Sequence, residues 1–464
     1  MPIRNLNNLA ILLYSYITHK QSMIAEEVRP EKLIRIGVIG NVDAGKSTLV
    51  SVLTKGIADD GNGAARVRVL NYEHEQTSGR TSSIGQEIMG FNKEGHQVLP
   101  ERFNQNKNKY WKEVVTQSYK IASLIDLCGH EKYLKTTING LTGLTPDLGC
   151  VVVGANMGLQ KMTKEHIGLC LFLKIPFFII VTKIDLAPEN KYGETLDELK
   201  KLLKHKLLNK FPIEITEKTA ENEQIKVAEL MPSGNICPIF PVSSVSKIGI
   251  ETLSKFIWRI EKVNPITIEQ AITQSFEFEI NESFTVDGVG LVVSGVVKSG
   301  VASINKACLL GPDKLRNFKN VVIKSIHVNR VQRNEAYAGE LACFSLKASK
   351  ANEKLVRKDI RRGMVVIDNQ EKPEPVTSFE ADMQVLHNAT TIKVKYEGVL
   401  HCGTIQQTVV LEEIYGGEEI LRNEDRGLVR FSFKYRPEFV KEGETILLRE
   451  GKTKVIGTIT KIIG

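Results

Sequence analysis

The hydrophobic pattern of the chain changes once, after Val263-Asn264-Pro265. Before that point, short apolar runs alternate with stretches whose apolar residues recur at helical spacing, which predicts strands and helices in turn. The predicted strands cover residues 33–39, 121–127, 148–153, 177–181 and 236–242. The predicted helices cover residues 46–54, 131–144, 164–172, 195–206 and 251–260. This alternation is typical of an α/β domain with a mostly parallel sheet and helices on both faces.

Beyond that point, short strand-like runs are separated by glycine, asparagine and aspartate turns. They include residues 275–280, 291–297, 321–328, 341–346, 379–385, 403–411, 428–433 and 455–462. Short alternating strands at this spacing indicate small antiparallel barrels, and the length accommodates two of them. The predicted organisation is an N-terminal extension over 1–31, the α/β domain over 32–264, and two β-barrel domains over 268–370 and 374–464.

Three segments do not follow these patterns. Residues 56–83 are rich in Gly, Asn, Ser and charge, and a segment of that length without regular structure inside a compact domain usually carries function. Residues 214–234 are polar, which favours a surface insertion. The apolar run 9–17 is too short to span a bilayer and lacks a cleavage site, so we expect an extension that packs as a helix on the next domain or stays loose.

A phosphate-binding loop lies between the first predicted strand and the first predicted helix. Its sequence, G-x-x-x-x-G-K-[ST] followed by Thr48, is Gly40-Asn41-Val42-Asp43-Ala44-Gly45-Lys46-Ser47. The glycines let backbone N–H groups point at a phosphate chain, while Lys46 reaches the outer phosphates and the Ser47 hydroxyl takes a Mg²⁺ position. A chance glycine turn is the alternative, and the flanking strand and helix disfavour it. The chain is therefore predicted to bind a nucleoside triphosphate.

A second phosphate-side motif ends the next strand. Asp126 and Gly129 form D-x-x-G, in which the carboxylate can hold Mg²⁺ through water and the glycine N–H can contact the γ-phosphate. The motif is weak alone and becomes specific at the end of a strand that follows a phosphate loop. His130 comes next, and a lone histidine is more often structural. Its place beside Gly129 favours a catalytic role in orienting the attacking water, while Lys46 would offset charge on the transferring phosphoryl group.

Two strand ends supply candidate base contacts. Thr182 and Lys183 precede Asp185, whose carboxylate can accept hydrogen bonds from the N1–H and exocyclic amine of guanine, which adenine cannot match. Lys183 would cover the base plane with its alkyl stem. A second set, which could present backbone N–H groups to guanine O6, is Ser243, Ser244 and Val245. For these serines an N-cap or turn role is the competing interpretation.

Composition limits the setting. The 62 basic and 54 acidic residues give a net charge of +8, which is compatible with an RNA-rich partner without demonstrating one. Seven cysteines without paired spacing argue against a disulfide framework or a zinc site, so we expect a reducing, cytoplasmic location. We expect no membrane or DNA partner, and a monomer.

Taken in order, these motifs resemble the GTP-binding domain of translational GTPases of the elongation factor Tu and elongation factor 1-alpha class. The local sequence is most similar to the GTP-binding protein 1 and 2 family, whose pattern covers nearly all of the chain after the first ~30 residues. The segments that carry the likeness outside the motifs are 74–85, which is similar to the family's first switch, and 286–295, 360–365, 386–392 and 400–407 in the barrels.

The resemblance implies GTP hydrolysis as a timed conformational switch, with GTP or GDP and Mg²⁺ as ligands. Alignment with the family places Ser83 beside Ser47 and Asp126 as a magnesium residue, with Thr81 and Ser82 as near alternatives. Thr182 replaces the family's usual asparagine, which weakens the expected brace on the phosphate loop. No arginine finger is evident, so slow intrinsic turnover and stimulation by a large partner are expected.

The expected partner, by the same resemblance, is the ribosome with tRNA or another RNA, in elongation, ribosome rescue or RNA surveillance. Basic residues collect in the first barrel, where RNA contact and a solvated barrel edge are equally good interpretations. They are Lys314, Arg316, Lys319, Lys324, Arg330 and Arg333. Two other functions stay open: a GTPase subunit of a sulfate-activating enzyme, and a non-hydrolysing RNA-binding scaffold.

Overall fold

The computed structural model describes residues 29–70, 72–78, 81–100, 106–263, 265–350, 353–387, 391–417, 419–451 and 453–464. The apolar run 9–17, for which a packed or loose extension was predicted, lies outside the described residues, as does Arg80 of the first-switch segment. Packing divides the chain into two compact units, one built mostly from residues up to 273 and the other mostly from residues 274–464.

The first unit is built on an eight-stranded sheet with strand order β3-β2-β4-β1-β5-β6-β8-β7. Its strands are β1 (Leu33–Gly40), β2 (Gly85–Phe91), β3 (Gln97–Val98), β4 (Lys120–Asp126), β5 (Leu148–Gly154), β6 (Phe177–Thr182), β7 (Phe211–Glu214) and β8 (Ile236–Pro241). β2 and β3 are antiparallel to their neighbours, and the other pairings are parallel. The carboxyl ends of β4, β1, β5 and β6 therefore meet at one edge, where α/β sheets bind ligands.

Helices cover this sheet and bury its apolar side chains. They are α1 (Lys46–Lys55), α2 (Ala64–Val67), α3 (Glu73–Ser78), α4 (Lys107–Gln117), α5 (Leu134–Gly143), α6 (Lys161–Phe172), α7 (Glu189–Lys204), α8 (Glu221–Leu230), α9 (Ile250–Arg259) and the short α10 (Ile268–Ile272). Central strands such as β5 are buried on both faces, because helices pack on each side of the sheet. The predicted strands and helices of this half are present, with ends that shift by a few residues.

The structure differs from the sequence prediction at residues 214–234. These residues were expected to form a surface insertion, and they instead contain α8 and contribute Ile215, Val227, Ala228 and Met231 to the main hydrophobic core. The expectation was wrong because the few buried residues lie among charged ones, so the segment has too few apolar residues to show a helical hydrophobic pattern. The long segment 56–83 also contains two short helices, α2 and α3, so it is not structureless.

The second unit contains two closed six-stranded antiparallel barrels. The strands of the first half are β9 (Glu277–Val286), β10 (Gly290–Ser299), β11 (Val301–Ser303), β12 (Ala307–Gly311), β13 (Lys319–Val328), β14 (Val331–Arg333), β15 (Glu335–Tyr337), β16 (Leu341–Ala348) and β17 (Val365–Asp368). The order β12-β17-β9-β10-β16-β13 closes through a β12–β13 pairing.

The strands of the second half are β18 (Ser378–His387), β19 (Ile392–Lys393), β20 (Glu397–Cys402), β21 (Ile405–Ile414), β22 (Ile420–Leu421), β23 (Arg426–Phe433), β24 (Thr445–Glu450) and β25 (Thr453–Ile462). They close in the order β18-β23-β21-β20-β24-β25. Each barrel encloses its own hydrophobic core. The predicted fold class, a mostly parallel α/β domain followed by two antiparallel barrels, is confirmed.

A buried ion pair joins the two barrels. The Glu438 side chain is fully buried and accepts hydrogen bonds from Arg361 Nη1 at 2.6 Å and from Gln407 Nε2 at 2.8 Å. A buried carboxylate with several donors costs much when one is removed, so these barrels are tied by specific partners as well as by apolar contact. Among the described residues, no helix is long and apolar enough to cross a membrane.

Candidate functional site

The predicted phosphate loop follows β1 and starts α1, as the motif requires. Gly45 adopts a left-handed conformation at the helix N-cap, and Lys46 is the first helical residue. The Lys46 side chain is only 7% exposed, and its Nζ donates to the Asn41 carbonyl oxygen at 2.7 Å. Burial lowers the pKa of Lys46, although the nearby Asp126 carboxylate opposes this effect. The cation is thus held inside the loop that would surround a phosphate chain.

Gly129 approaches this loop closely. A Cβ atom at Gly129 would lie 2.4 Å from Lys46 Nζ, 2.6 Å from the Gly40 carbonyl oxygen and 2.8 Å from the Asn41 carbonyl carbon. Two of these three neighbours are backbone atoms that cannot move aside cheaply. The D-x-x-G motif therefore needs glycine at this position so that its backbone can reach the phosphate loop.

Asp126 and Ser47 meet in the interior. The Ser47 Oγ donates to Asp126 Oδ2 at 2.6 Å and lies 2.8 Å from Thr81 Oγ1. Burial raises the pKa of Asp126 to about 6, while Lys46 and the Ser47 hydrogen bond lower it. The other carboxylate oxygen, Oδ1, is buried with no hydrogen-bond partner among the described residues. An unpartnered carboxylate oxygen beside two hydroxyls fits a hard divalent cation such as Mg²⁺.

The first-switch hydroxyl beside Ser47 belongs to Thr81 and not to Ser83, which alignment had placed there. Glu75 explains the difference, because its Oε1 accepts from the amides and hydroxyls of both Ser82 and Ser83 at 2.7–2.9 Å. Ser82 and Ser83 are therefore held at the buried Glu75 carboxylate. The structure brings Thr81, one of the near alternatives, to the predicted metal position.

His130 lies at the mouth of the site. Its side chain is exposed, and its Nδ1 accepts from the Lys132 backbone amide at 3.0 Å. Since an amide N–H is always the donor, Nδ1 carries no proton and the neutral ring must carry its proton on Nε2. The free edge of the neutral imidazole is then a hydrogen-bond donor, which suits it to orient a water molecule or an oxyanion rather than to accept a proton.

Thr182 braces the phosphate loop. Its Oγ1 donates to the Ala44 carbonyl oxygen at 2.6 Å and lies 3.3 Å from the Val153 carbonyl oxygen. The side chain is 1% exposed, so this bond forms where water does not compete with it. The threonine that replaces the usual asparagine thus ties the end of β6 to the loop after β1.

The predicted base-side residues lie at the same edge of the sheet. Lys183 has a left-handed backbone conformation and Asp185 is exposed, so its carboxylate is accessible to a ligand. Ser243 is buried, and its hydroxyl accepts from the Val245 and Ser246 amides at 3.2 and 3.0 Å. Ser243 therefore has the turn role that was the competing interpretation. The Val245 N–H already donates to the Ser243 hydroxyl.

A single hollow collects the phosphate-side residues. Its lining comprises Val42, Asp43, Gly45, Lys46, Ser47, Thr48, Arg66, Thr81, Gly129 and His130. The base-side residues are not part of this lining. The sequence motifs gave no role to Arg66 or Glu75 and named Thr81 only as an alternative to Ser83, although the length and polarity of the segment 56–83 predict a functional segment.

Comparison with known proteins agrees with this arrangement. Residues 31–263 match the family model described as the elongation factor Tu GTP binding domain. GTP-binding protein 1 of Xenopus laevis is 41% identical over 430 residues, which are 93% of this chain and 63% of that protein. GTP-binding protein 2 of Homo sapiens is 38% identical over 431 residues, covering 92% of this chain and 69% of that protein. The chain therefore spans less than two thirds of the length of the Xenopus protein.

Solved structures share the fold. The GTPase-like domain of S. cerevisiae Ski7, bound to GTP, superimposes with a TM-score of 0.70 at 14% sequence identity. The match covers 95% of this chain and 98% of that structure. At this identity the likeness shows the architecture alone.

The close approach of Gly129 gives a direct test. Gly129→Ala is expected to weaken GTP binding by about 5- to 150-fold, because the new Cβ displaces the phosphate loop at a cost of about 1–3 kcal/mol. The matched control is Gly193→Ala in α7, where a Cβ meets nothing within 4 Å. Titration of a fluorescent GTP analogue measures both variants. Unchanged affinity in Gly129→Ala would contradict the assigned geometry.

Proposed function

This chain belongs to the elongation factor Tu family of translational GTPases, and we propose that it is a GTP-hydrolysing switch that acts with the ribosome and with tRNA or another structured RNA. The family resemblance inferred from the motifs is confirmed by the match over residues 31–263 and by the identity to GTP-binding proteins 1 and 2. Family members bind guanine nucleotides.

One observation supports the proposal most strongly: Lys46, Ser47, Thr81, Gly129 and His130 line the same hollow. These are a buried cation, two hydroxyls, a glycine in close approach and a donor imidazole. Phosphoryl transfer requires positioning and charge stabilisation more than covalent chemistry from the protein, and this set supplies both. A degenerate site would be expected to lack at least one of them.

We assign the phosphate-side roles as follows. Lys46 and the amides of residues 40–48 hold the phosphate chain, and the Gly129 N–H contacts the terminal phosphate. We propose that Ser47 and Thr81 would hold Mg²⁺ directly and that Asp126 would act through water; the contacts of Ser47 with Thr81 and Asp126 support this. Bound Mg²⁺ would offset charge on the outer phosphates. Loss of the terminal phosphate would release Thr81 and Gly129, which is the switch.

Selection of guanine rests on the base-side residues. Asp185 is proposed to accept from the base N1–H and amine, while Lys183 covers the base plane. Because the Val245 N–H is occupied by Ser243, we propose that Ser243 and Ser244 shape the loop and that direct contact with the base falls mainly to Asp185.

The proposed RNA-facing surface is smaller than the sequence suggested. Arg333 is buried and pairs with the buried Glu340 at 2.8 Å, so it is a structural residue and is removed from the set. Lys319 lies 3.8 Å from Asp359. The exposed basic residues of this set are Lys314, Arg316, Lys324 and Arg330.

Since ribosomes and tRNA meet in the cytoplasm, we propose that the protein acts there.

The experiment that tests the proposal is GTP turnover with and without ribosomes. Ribosomes are expected to raise turnover, and His130→Ala is expected to lower the stimulated rate by about tenfold or more while GTP binding is kept, since one lost donor at a developing charge costs at least that much. His205→Ala is the matched control, because His205 is exposed and its Nδ1 also accepts from the amide two residues on.

Each other outcome identifies a different function. Stimulation by sulfate-activating enzyme and not by ribosomes would favour the metabolic alternative, and GTP binding without turnover would favour the RNA-binding scaffold. An unchanged stimulated rate in His130→Ala would remove His130 from the mechanism.

The magnesium assignment has its own test. Thr81→Ala is expected to raise the Mg²⁺ concentration needed for half-maximal GTP turnover by about tenfold, because a hydroxyl ligand is lost. Ser83→Ala should leave that Mg²⁺ concentration nearly unchanged, since Glu75 keeps the Ser82 amide, the Ser82 hydroxyl and the amide of residue 83 as donors. The reverse pattern in a Mg²⁺ titration would restore Ser83 to the role that alignment gave it.

A further inference from the structure

Arg66 lines the phosphate hollow although no motif marks it. It shares that lining with Lys46, Thr81, Gly129 and His130. Its side chain is half-buried, and among the described residues no acidic side chain pairs with its guanidinium. A half-buried arginine that faces a phosphate site without a carboxylate partner has its donors available for an anion.

The route of the side chain depends on Gly63. A Cβ atom at Gly63 would lie 2.8 Å from Arg66 Nε and 3.0 Å from its Cζ. Gly63 also has a left-handed backbone, with φ +90°, at the N-cap of α2. The guanidinium therefore lies directly over Gly63, in space that a side chain at position 63 would occupy.

The helix that carries Arg66 is fixed by the core. Ala65 is 1% exposed, and Val69, in the turn that follows α2, belongs to the main hydrophobic core together with Leu49, Val50 and Leu53. With Ala65 and Val69 facing the core, Arg66 projects from a different side of the helix. The arginine is thus held by packing that exists without a nucleotide.

A buried carboxylate fixes the approach to this helix. Asp59 accepts from the amides of Gly61, Gly63 and Ala65 at 2.8–3.3 Å, and its own amide donates to the Ser244 carbonyl oxygen at 2.9 Å. The segment before Arg66 is therefore tied to the loop proposed to lie beside the base. At the other end of the segment, the structure describes no hydrogen bond between Thr81 and the loop at Ser244.

We propose that Arg66 is a catalytic arginine supplied by the chain itself, which contacts the terminal phosphate of bound GTP and stabilises the charge that develops during hydrolysis. The inference rests on the proposed function. In the reaction a water oxygen bonds to the γ-phosphorus as the bond to the β–γ bridging oxygen breaks. The bonding pair leaves on the β-phosphate, the water protons pass to the phosphates and solvent, and Arg66 keeps its own protons.

Charge and geometry favour this role over general anion attraction. Lys46 lies at the inner end of the loop and is held by Asn41, so it serves the phosphates from one side. Arg66 reaches the hollow from the segment that also carries Thr81, and its planar fork can bind two phosphate oxygens at once. With Arg66 in this role, the chain would hydrolyse GTP faster in the absence of a partner than a GTPase whose catalytic arginine comes from a partner protein.

The test compares Arg66→Ala and Arg66→Lys with Arg68→Ala in the full chain. Arg68 is the exposed C-cap of the same helix and lies outside the hollow. Single-turnover hydrolysis without ribosomes gives the rate per bound nucleotide, and titration gives the affinities for GTP and GDP. We expect Arg66→Ala to lower the rate by about tenfold or more, with Arg66→Lys intermediate, GDP affinity kept and Arg68→Ala normal.

Three results would overturn the proposal. One is an Arg66→Ala rate equal to that of the wild type. Another is an equal loss of GTP and GDP affinity with the rate per bound nucleotide unchanged, which would make Arg66 a ground-state binding residue. The third is a wild-type chain that binds GTP and never hydrolyses it, with or without ribosomes, which defeats the proposed function first and this inference with it. Retained GDP binding in the variants shows that they are folded.

Discussion

Two side chains of opposite charge, Lys46 and Asp126, are buried at the phosphate loop without forming an ion pair with each other. Lys46 is 7% exposed and donates to a backbone carbonyl, while Asp126 is 4% exposed and bonds to Ser47. Burial disfavours both charged forms, lowering the pKa of Lys46 and raising that of Asp126. Desolvated charges of this kind are costly unless they are matched, and a phosphate chain with its cation would match both at once.

The sheet order explains why these groups converge. β4, β1, β5 and β6 are neighbours, so the loops that follow them share one edge. Thr182, at the end of β6, braces the loop after β1, and Gly129, just beyond β4, lies close enough to touch it. Residues that are far apart in the sequence, Thr182 and Gly129, thus fix the backbone of the phosphate loop after β1. Apolar packing of the strands holds this geometry, since the strands that carry the site are buried.

The sequence allowed much of this to be predicted, for a physical reason. Phosphate loops depend on local backbone geometry, so the spacing of Gly40, Gly45 and Lys46 is sufficient to find one. Strands buried on both faces, such as β5, have continuous apolar runs that stand out in the sequence. Likewise, the barrels were recognisable because short strands alternate with turn residues.

Other features could not be inferred because they depend on distant partners. Glu87 can be buried in β2 because Lys55 and Lys107 pair with its carboxylate. A charged residue at this position interrupts the apolar pattern, so the sequence did not predict β2 as a strand. Likeness to the family predicts Ser83 as the magnesium residue, with Thr81 as an alternative, and the hydrogen bonds of Ser82 and Ser83 to Glu75 depend on a fold that the likeness does not contain. Arg66 has no motif at all. Its position follows from Ala65 and Val69 in the core and from the room left by Gly63.

The most direct test of the account is the thermal unfolding of the whole chain with different Mg²⁺–nucleotides. If the buried charges form a guanine nucleotide site, GTP and GDP with Mg²⁺ should raise the unfolding midpoint of the α/β unit. The expected stabilisation is about 2.7 kcal/mol at a ligand concentration one hundred times the Kd. ATP with Mg²⁺ at the same concentration should leave the midpoint unchanged. An equal shift with ATP, or no shift with any of the three, would contradict the central claim.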